Sequence, residues 1–218
     1  MRFRNRADAG EKLAAQLLEY TGRPDVVVLA LPRGGVPVAA EVASRLRVAL
    51  DVLFVRKLGV PGHPELAMGA VAAGGVQVLS PVLIADLAIP PSLVQQVAAR
   101  ERLELDRRDQ LFRGGRAPLC VQDRTIILVD DGLATGSSME AALIALRRLS
   151  PAAIIVAVPV GARATCERLR GRADRVVCLR APESFDAVGL WYDDFDQLTD
   201  EEVRLHLTKA WANPAQTA

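Results

Sequence analysis

The 218-residue chain has little aromatic content, 4%, and almost no net charge, since 27 Lys and Arg face 26 Asp and Glu for a formal +1. A nearly neutral chain has no overall field to gather a nucleic-acid backbone or an anionic membrane, so neither is expected as a partner. Cysteine is scarce: Cys120, Cys166 and Cys178 lie far apart without CxxC spacing. That spacing excludes a zinc cluster and a disulfide framework, and points to buried thiols in a reducing cytoplasm. Long apolar runs are also missing. The longest, residues 152–162, contains Pro159 and is too short to cross a bilayer. Residues 1–10 carry charge with no apolar core behind them, so the expected location is the cytoplasm. There is no internal repeat, no low-complexity segment, no GxxxxGK followed by Ser or Thr, and no GxGxxG. Ordinary NTPases and Rossmann dehydrogenases are therefore unsupported.

What is present is core material. Half of the residues are hydrophobic, and a domain of this size buries roughly 70% of its unfolded surface. The length fits one domain, residues 1–218, with an appended subdomain. Short β-branched runs recur at residues 26–31, 51–55, 125–129, 153–158 and 175–179. Several are apolar at every position, as strands must be when helices cover both faces of a parallel sheet, so the fold class is α/β. Pro37 suits the first turn of a helix through Leu46, and Met139, Ala142, Leu143, Leu146 and Leu149 form one stripe of a second crossover helix. Two stretches break the rhythm. Residues 68–71 and 76–79 flank Ala73-Gly74-Gly75 and read as an antiparallel hairpin; residues 92–116 read as a long inserted helix. Its arginines alternate with Glu101, Glu104, Asp106 and Asp109 in helical pairs, which describes a solvated face rather than a nucleic-acid surface.

The chemistry concentrates in residues 126–140, IILVDDGLATGSSME. A buried strand ends in Asp130 and Asp131, followed by a Gly and Thr loop and a helix. A helix N-terminus at the carboxyl end of a parallel strand offers unpaired N–H groups to a phosphate. Gly136 permits close backbone approach, while Thr135, Ser137 and Ser138 add hydroxyl donors. Asp130 and Asp131 are acceptor-only groups suited to vicinal sugar hydroxyls or a hydrated Mg²⁺. Ser137 followed by Glu140 also satisfies a capping box, which accounts for the serine but not for the paired carboxylates. A second loop of the same kind, Leu31-Pro32-Arg33-Gly34-Gly35, ends the first long strand. Two phosphate-type loops at one sheet edge suit a substrate with separated phosphates. Arg56 and Lys57 follow a third strand at that edge and supply cations.

VDDGLATGSS resembles the signature of the type I phosphoribosyltransferases: an apolar strand, two acidic residues and a Thr-Gly-x-Ser/Thr loop. The likeness extends to LPRGGVPVA and FVRK and covers most of the chain. It implies a parallel sheet flanked by helices with a small C-terminal hood. It also implies Mg²⁺-dependent transfer from phosphoribosyl pyrophosphate to a small-molecule acceptor, usually a nucleobase nitrogen. By the same resemblance, Asp130 and Asp131 take the ribose hydroxyls and metal, and residues 134–138 take the 5′-phosphate. Arg33, Gly34 and Gly35 form the pyrophosphate loop, residues 58–75 a mobile flap carrying His63 and Glu65, and a homodimer is the family's usual assembly.

Residues 181–203 hold eight acidic residues and no Lys or Arg, together with Phe185, Trp191, Tyr192 and Phe195. This stretch resembles a purine-type hood, spanning 181–205, in which Trp191 or Tyr192 would stack on a planar acceptor. Family members acting on 6-oxopurines place an Asp where this chain has Ala134, which argues against hypoxanthine and guanine. Two rival readings remain on the residues alone: a non-catalytic sensor of phosphoribosyl pyrophosphate, and a phosphohydrolase with Asp130 as nucleophile, which the Thr-Gly-Ser loop fits poorly.

Overall fold

The fully apolar runs become central strands because alternate residues of each meet helices on opposite faces. The computed structural model describes residues 2–73 and 75–212, with only the backbone of Pro64 and Glu65. Gly74 of the expected hairpin turn, and the side chain of Glu65, lie outside what is described. The elements in chain order are α1 (Arg6–Ala14), β1 (Val26–Ala30), α2 (Gly35–Leu46), β2 (Ala49–Val52), β3 (Val55–Val60), β4 (His63–Ala72) and β5 (Val76–Leu79). They continue with α3 (Pro81–Asp86), α4 (Pro91–Arg113), β6 (Thr125–Val129), α5 (Ser137–Arg147), β7 (Ala153–Val160), α6 (Arg163–Arg170), β8 (Arg175–Arg180) and α7 (Asp200–Trp211).

Five strands form an all-parallel sheet in the order β2-β1-β6-β7-β8. Val26, Val28, Ala30, Ile127 and Val129 face a core shared with Leu13, Val38, Val42 and Leu207 of α1, α2 and α7. Val27, Leu29, Ile126 and Leu128 face Met139, Leu143, Leu146 and Leu169 of α5 and α6. From β1 the chain steps outward to β2, then returns to β6 on the other side and steps outward again. The sheet therefore reverses direction between β1 and β6, and a crevice at the carboxyl ends of those two strands is where ligands bind in open α/β sheets. Both phosphate-type loops leave from that point.

The second region differs from expectation. The strand read at residues 51–55 is β2, Ala49–Val52; at Val55 the chain enters a separate antiparallel sheet, β3-β4-β5. Arg56 and Lys57 thus lie within β3 instead of following a strand of the parallel sheet. The segment read as a flap is largely a β-hairpin: Leu58 and Val60 of β3 join the core together with Met68 and Val71 of β4, and Gly62 at φ +82° supplies the turn.

The inserted helix is α4, with Pro91 in its first turn and Gly114 at φ +60° after its end. Val94, Ala98, Leu105 and Phe112 dock one face of it on the main core. Phe112 stacks on Phe54 with ring centres 5.7 Å apart. Arg113, 3% exposed, places Nη1 2.6 Å from both carboxylate oxygens of Asp51, which is 2% exposed, and Leu119 donates its N–H to the same carboxylate. The hood stretch is irregular only as far as Thr199; there a reciprocal capping box with Glu202 starts α7. Of the thiols, Cys166 is buried, Cys178 is half-buried and donates to the Arg180 carbonyl, and Cys120 is exposed, contrary to the expected burial. No helix among the described residues is long and apolar enough to cross a membrane.

Candidate functional site

Strand β6 delivers Asp130 and Asp131 to the crevice, and the loop after β1 lies directly against them. A Cβ on Gly34 would collide with the Asp131 carboxylate, and one on Gly35 would come within 2.7 Å of the Val129 carbonyl and 2.9 Å of the Asp130 Cα. Glycine is therefore required sterically at both positions. The Pro32–Arg33 peptide of this loop is cis. Arg33 turns towards α7, with Nη1 3.6 Å from an Asp200 oxygen, so its side chain engages the hood end of the chain rather than the strand-end carboxylates.

Asp131 has partners that its sequence neighbourhood does not announce. Arg6, at the start of α1, donates from Nε to Asp131 Oδ2 at 2.8 Å, donates from Nη1 to the Asp196 carbonyl at 3.0 Å, and stacks 3.9 Å above the Phe195 ring. Tyr192 donates its hydroxyl to the Asp131 carbonyl at 2.6 Å. Val188 fills the space beside Gly132, where a Cβ would come within 2.5 Å of it. The hood and the N-terminal helix thus close over the acidic loop together. Burial and then the adjacent Asp131 charge push the Asp130 carboxyl well above the usual carboxylate range. Burial also raises Asp131, and the Arg6 hydrogen bond opposes it. For the Tyr192 phenol, burial is again the largest cause of an upward shift, reinforced by Asp131.

Residues 134–138 turn from strand to helix through Gly136 at φ +75°, which is the N-cap of α5. The capping box read from Ser137 and Glu140 does not form. Ser137 is the first helical residue, and the Glu140 side chain instead accepts from Arg168 Nε at 2.6 Å. The Thr135 hydroxyl sits 3.1 Å from that of Ser137. Thr165 of α6 donates from Oγ1 to the Ala134 carbonyl at 2.7 Å, and Arg168 donates from Nη2 to the Thr135 carbonyl at 2.6 Å.

A cavity of about 570 Å³ opens between β3, α4 and the start of α5, lined among others by Arg56, Lys57, Arg100, Glu101, Ser137 and Ser138. A smaller one of about 130 Å³ is lined by Pro32, Arg56, Arg108 and Ser138. Because Arg56 and Ser138 line both, the loop after β1, the hairpin and the phosphate-type turn converge on one region. The inserted helix takes part as well. Buried Glu101 accepts from Arg56 Nε at 2.8 Å and from Arg100 Nη2 at 3.0 Å, so one carboxylate orients two cations at the cavity wall.

The structure brings Gly34, Gly35, Asp130 and Asp131 together, and Arg56 and Lys57 with Ser137 and Ser138. It separates the two hood aromatics. Tyr192 is 3% exposed and lies between Phe3 and Phe195, at 5.5 and 4.8 Å between ring centres, so no face is open for stacking and its role becomes that of a support beneath Asp131. Trp191 is half-buried and lines a separate recess with Arg2, Ser184, Asp186 and Leu190. Exposed His63 sits at the first residue of β4, near the hairpin turn. Arg6, Glu101, Thr165 and Arg168 were not foreseen. Their distances along the chain from the residues they touch, up to 190 positions for Arg6, leave no local signal.

Known proteins resemble the chain over nearly its whole length. The family model described as phosphoribosyl transferase domain matches residues 2–193. Two Mycobacterium tuberculosis proteins, MT0597 of strain CDC 1551 and Rv0571c of strain H37Rv, bear provisional names as phosphoribosyl transferases. Each is 44% identical over 208 residues, 95% of this chain and 47% of its own length. The chain therefore spans about half the length of these curated relatives. The crystal structure of TT1426 from Thermus thermophilus is 47% identical, with a TM-score of 0.89 over 96% of this chain and 99% of that one.

Proposed function

The chain belongs to the phosphoribosyl transferase family, and from that premise we propose that it transfers a phosphoribosyl group from phosphoribosyl pyrophosphate to a nucleophilic acceptor of the nucleobase class, releasing pyrophosphate. The observation that carries this reading is the direct apposition of Gly34 and Gly35 with Asp130 and Asp131 at the point where the sheet reverses. A sugar held by the two carboxylates would have a phosphate-type loop on each side of it, which is what a substrate phosphorylated at both ends of its ribose requires. In this reading Asp130 and Asp131 accept from the ribose hydroxyls, and residues 134–138 donate to the 5′-phosphate. Gly34 and Gly35 let the pyrophosphate approach the backbone, with Arg56 and Lys57 as its cationic neighbours and Arg33 joining them when its side chain leaves Asp200.

The donor set suits Mg²⁺. Among the described residues no group of three or more His, Cys, Asp or Glu converges, but Mg²⁺ is commonly held by one or two carboxylates and completed by substrate phosphates and water. Asp130 and Asp131 are the residues that would hold it here. When bound it supplies charge neutralisation for the departing pyrophosphate. The protein's own contribution is to fix the ribose, to direct cations at the leaving group, and to enclose the reacting carbon beneath the β3–β4 hairpin so that water does not compete with the acceptor. Of the two hood aromatics, half-buried Trp191 is the one left to meet a planar acceptor, which would have to reach its recess beside Arg2 and Asp186, and Ala134 provides no carboxylate for a 6-oxopurine proton.

A pyrophosphate-release screen with phosphoribosyl pyrophosphate, Mg²⁺ and a panel of bases tests the proposal. Acceptor-dependent release supports it. Tight binding with no release from any acceptor favours the sensor reading, and a phosphoenzyme trapped on Asp130 favours hydrolysis.

A further inference from the structure

The turn at residues 134–138 is held from behind. Thr165 and Arg168 stand three residues apart on α6, hence on one face of it, and reach the carbonyls of Ala134 and Thr135 at 2.7 and 2.6 Å. Thr165 is 4% exposed and its methyl carbon would lie 2.6 Å from a Cβ on Gly136, so helix and turn fit closely. Arg168 also binds Glu140 in the first turn of α5, so a single guanidinium ties the loop to the helix it feeds.

The consequence follows from peptide geometry. In a planar trans peptide, the carbonyl of one residue and the N–H of the next point in opposite directions. Drawing the Ala134 and Thr135 carbonyls towards α6 therefore turns the N–H groups of Thr135 and Gly136 away from it, towards the open side of the turn. Among the described residues neither N–H donates to a protein acceptor. Left alone, such a glycine-containing turn has other peptide orientations available, because Gly136 has no side chain to restrict it.

We propose that Thr165 and Arg168 are positioning residues that fix the peptide orientation of the phosphate-binding turn, and so set affinity for the 5′-phosphate end of the substrate without acting on its pyrophosphate end. The inference rests on the phosphoribosyl reading of the site. Neither residue touches the ligand; both act through the backbone.

Calorimetric titration with ribose 5-phosphate and, separately, with pyrophosphate and Mg²⁺ tests it on the full chain. Thr165→Val keeps the shape of the side chain and removes the donor, whereas Thr165→Ser keeps the donor. Loss of one such hydrogen bond should weaken ribose 5-phosphate about tenfold in Thr165→Val and in Arg168→Ala. Pyrophosphate affinity should stay within about twofold in both, and Thr165→Ser should bind both ligands within about twofold of wild type. In turnover, KM for phosphoribosyl pyrophosphate should rise with kcat little changed, the pattern for loss of uniform binding. Should Arg168→Ala fail to fold, the Thr165 pair carries the test alone. Wild-type affinity for ribose 5-phosphate in Thr165→Val, equal losses for both ligands, or a loss in Thr165→Ser as large as in Thr165→Val would each overturn the positioning role while leaving the site reading intact. A wild-type protein that binds neither ligand overturns the site reading itself, and this inference with it.

Discussion

The space that a side chain on Gly34 would take is filled by the carboxylate of Asp131. These residues are 97 positions apart in the chain, yet each defines the other: the glycine lets the loop after β1 close on the strand-end acid, and the acid leaves room for nothing larger. Gly34→Ala should therefore displace one of the two loops. We expect a folded protein whose affinity for phosphoribosyl pyrophosphate falls by at least about tenfold, a loss worth about 1.4 kcal/mol. Calorimetry beside circular dichroism checks this, and unaltered affinity would show that the apposition is irrelevant to binding.

Substitution of the two acids should separate binding from stability. Asp130→Asn removes a charged acceptor that has no guanidinium hydrogen-bonded to it, so affinity for phosphoribosyl pyrophosphate with Mg²⁺ should drop strongly while the melting temperature holds or rises. Asp131→Asn should drop affinity too, but it also strands the Arg6 guanidinium, 11% exposed, without its ionic partner. A lower melting temperature is expected for that variant only. Equal melting temperatures for both would mean that the Arg6 contact adds nothing to stability.

Lys57 lines the larger cavity with Arg56 and with Ser137 and Ser138 of the turn proposed to take the 5′-phosphate, and its ammonium is proposed to serve the pyrophosphate end. Lys57→Ala is expected to slow turnover more than it weakens ribose 5-phosphate, which lacks the leaving group. Steady-state kinetics compared with binding decide the matter. A parallel loss of both would move Lys57 to the other end of the ligand.

The buried pair of Asp51 and Arg113 anchors the inserted helix to the edge of the parallel sheet. Removing Asp51 leaves the buried Arg113 guanidinium with the part-exposed Asp109 carboxylate as its remaining ionic partner, so Asp51→Ala should cost about 3 kcal/mol in chemical denaturation. The double change Asp51→Leu with Arg113→Met should recover most of that loss, since apolar groups of similar volume often replace a buried pair at little cost. A cost below about 1 kcal/mol for the single change would show the pair to be hydrated in solution.

In the hood, Trp191→Ala should reduce acceptor affinity, an aromatic face being worth about 1–3 kcal/mol per stacked base. Tyr192→Phe should leave acceptor binding alone and instead cost about 1–2 kcal/mol of stability, because it strands the Asp131 carbonyl. Competition binding with a phosphoribosyl pyrophosphate analogue and Mg²⁺ distinguishes the two. Hypoxanthine is expected to be a poor acceptor in the wild type, and vigorous hypoxanthine turnover would contradict the reading of Ala134.

The parallel sheet, its crossover helices and the two loops were legible in the chain itself, because each depends on residues within a few positions of one another. Every-position apolar runs specify strands covered on both faces, and VDDGLATGSS carries its acids, turn glycine and hydroxyls contiguously. The hairpin was harder to read. The β4–β5 pairing at residues 68–71 and 76–79 was legible, but residues 58–67 are rich in Gly and Pro, and only the β3–β4 pairing turns most of them into strand. Tertiary structure alone decided what surrounds the acids. Arg6 reaches Asp131 from the far end of the chain, Thr165 and Arg168 take the loop carbonyls from the next crossover helix, and Glu101 orients Arg56 from the insertion. It also enclosed Tyr192 between two phenylalanines while leaving Trp191 partly open, although the two are adjacent in sequence. The physical reason is the range of the forces involved. Backbone conformation and burial pattern are set locally by side-chain shape and hydrophobicity, whereas a hydrogen bond or ion pair requires two groups to meet at about 3 Å, and which distant groups meet is fixed only when the helices pack.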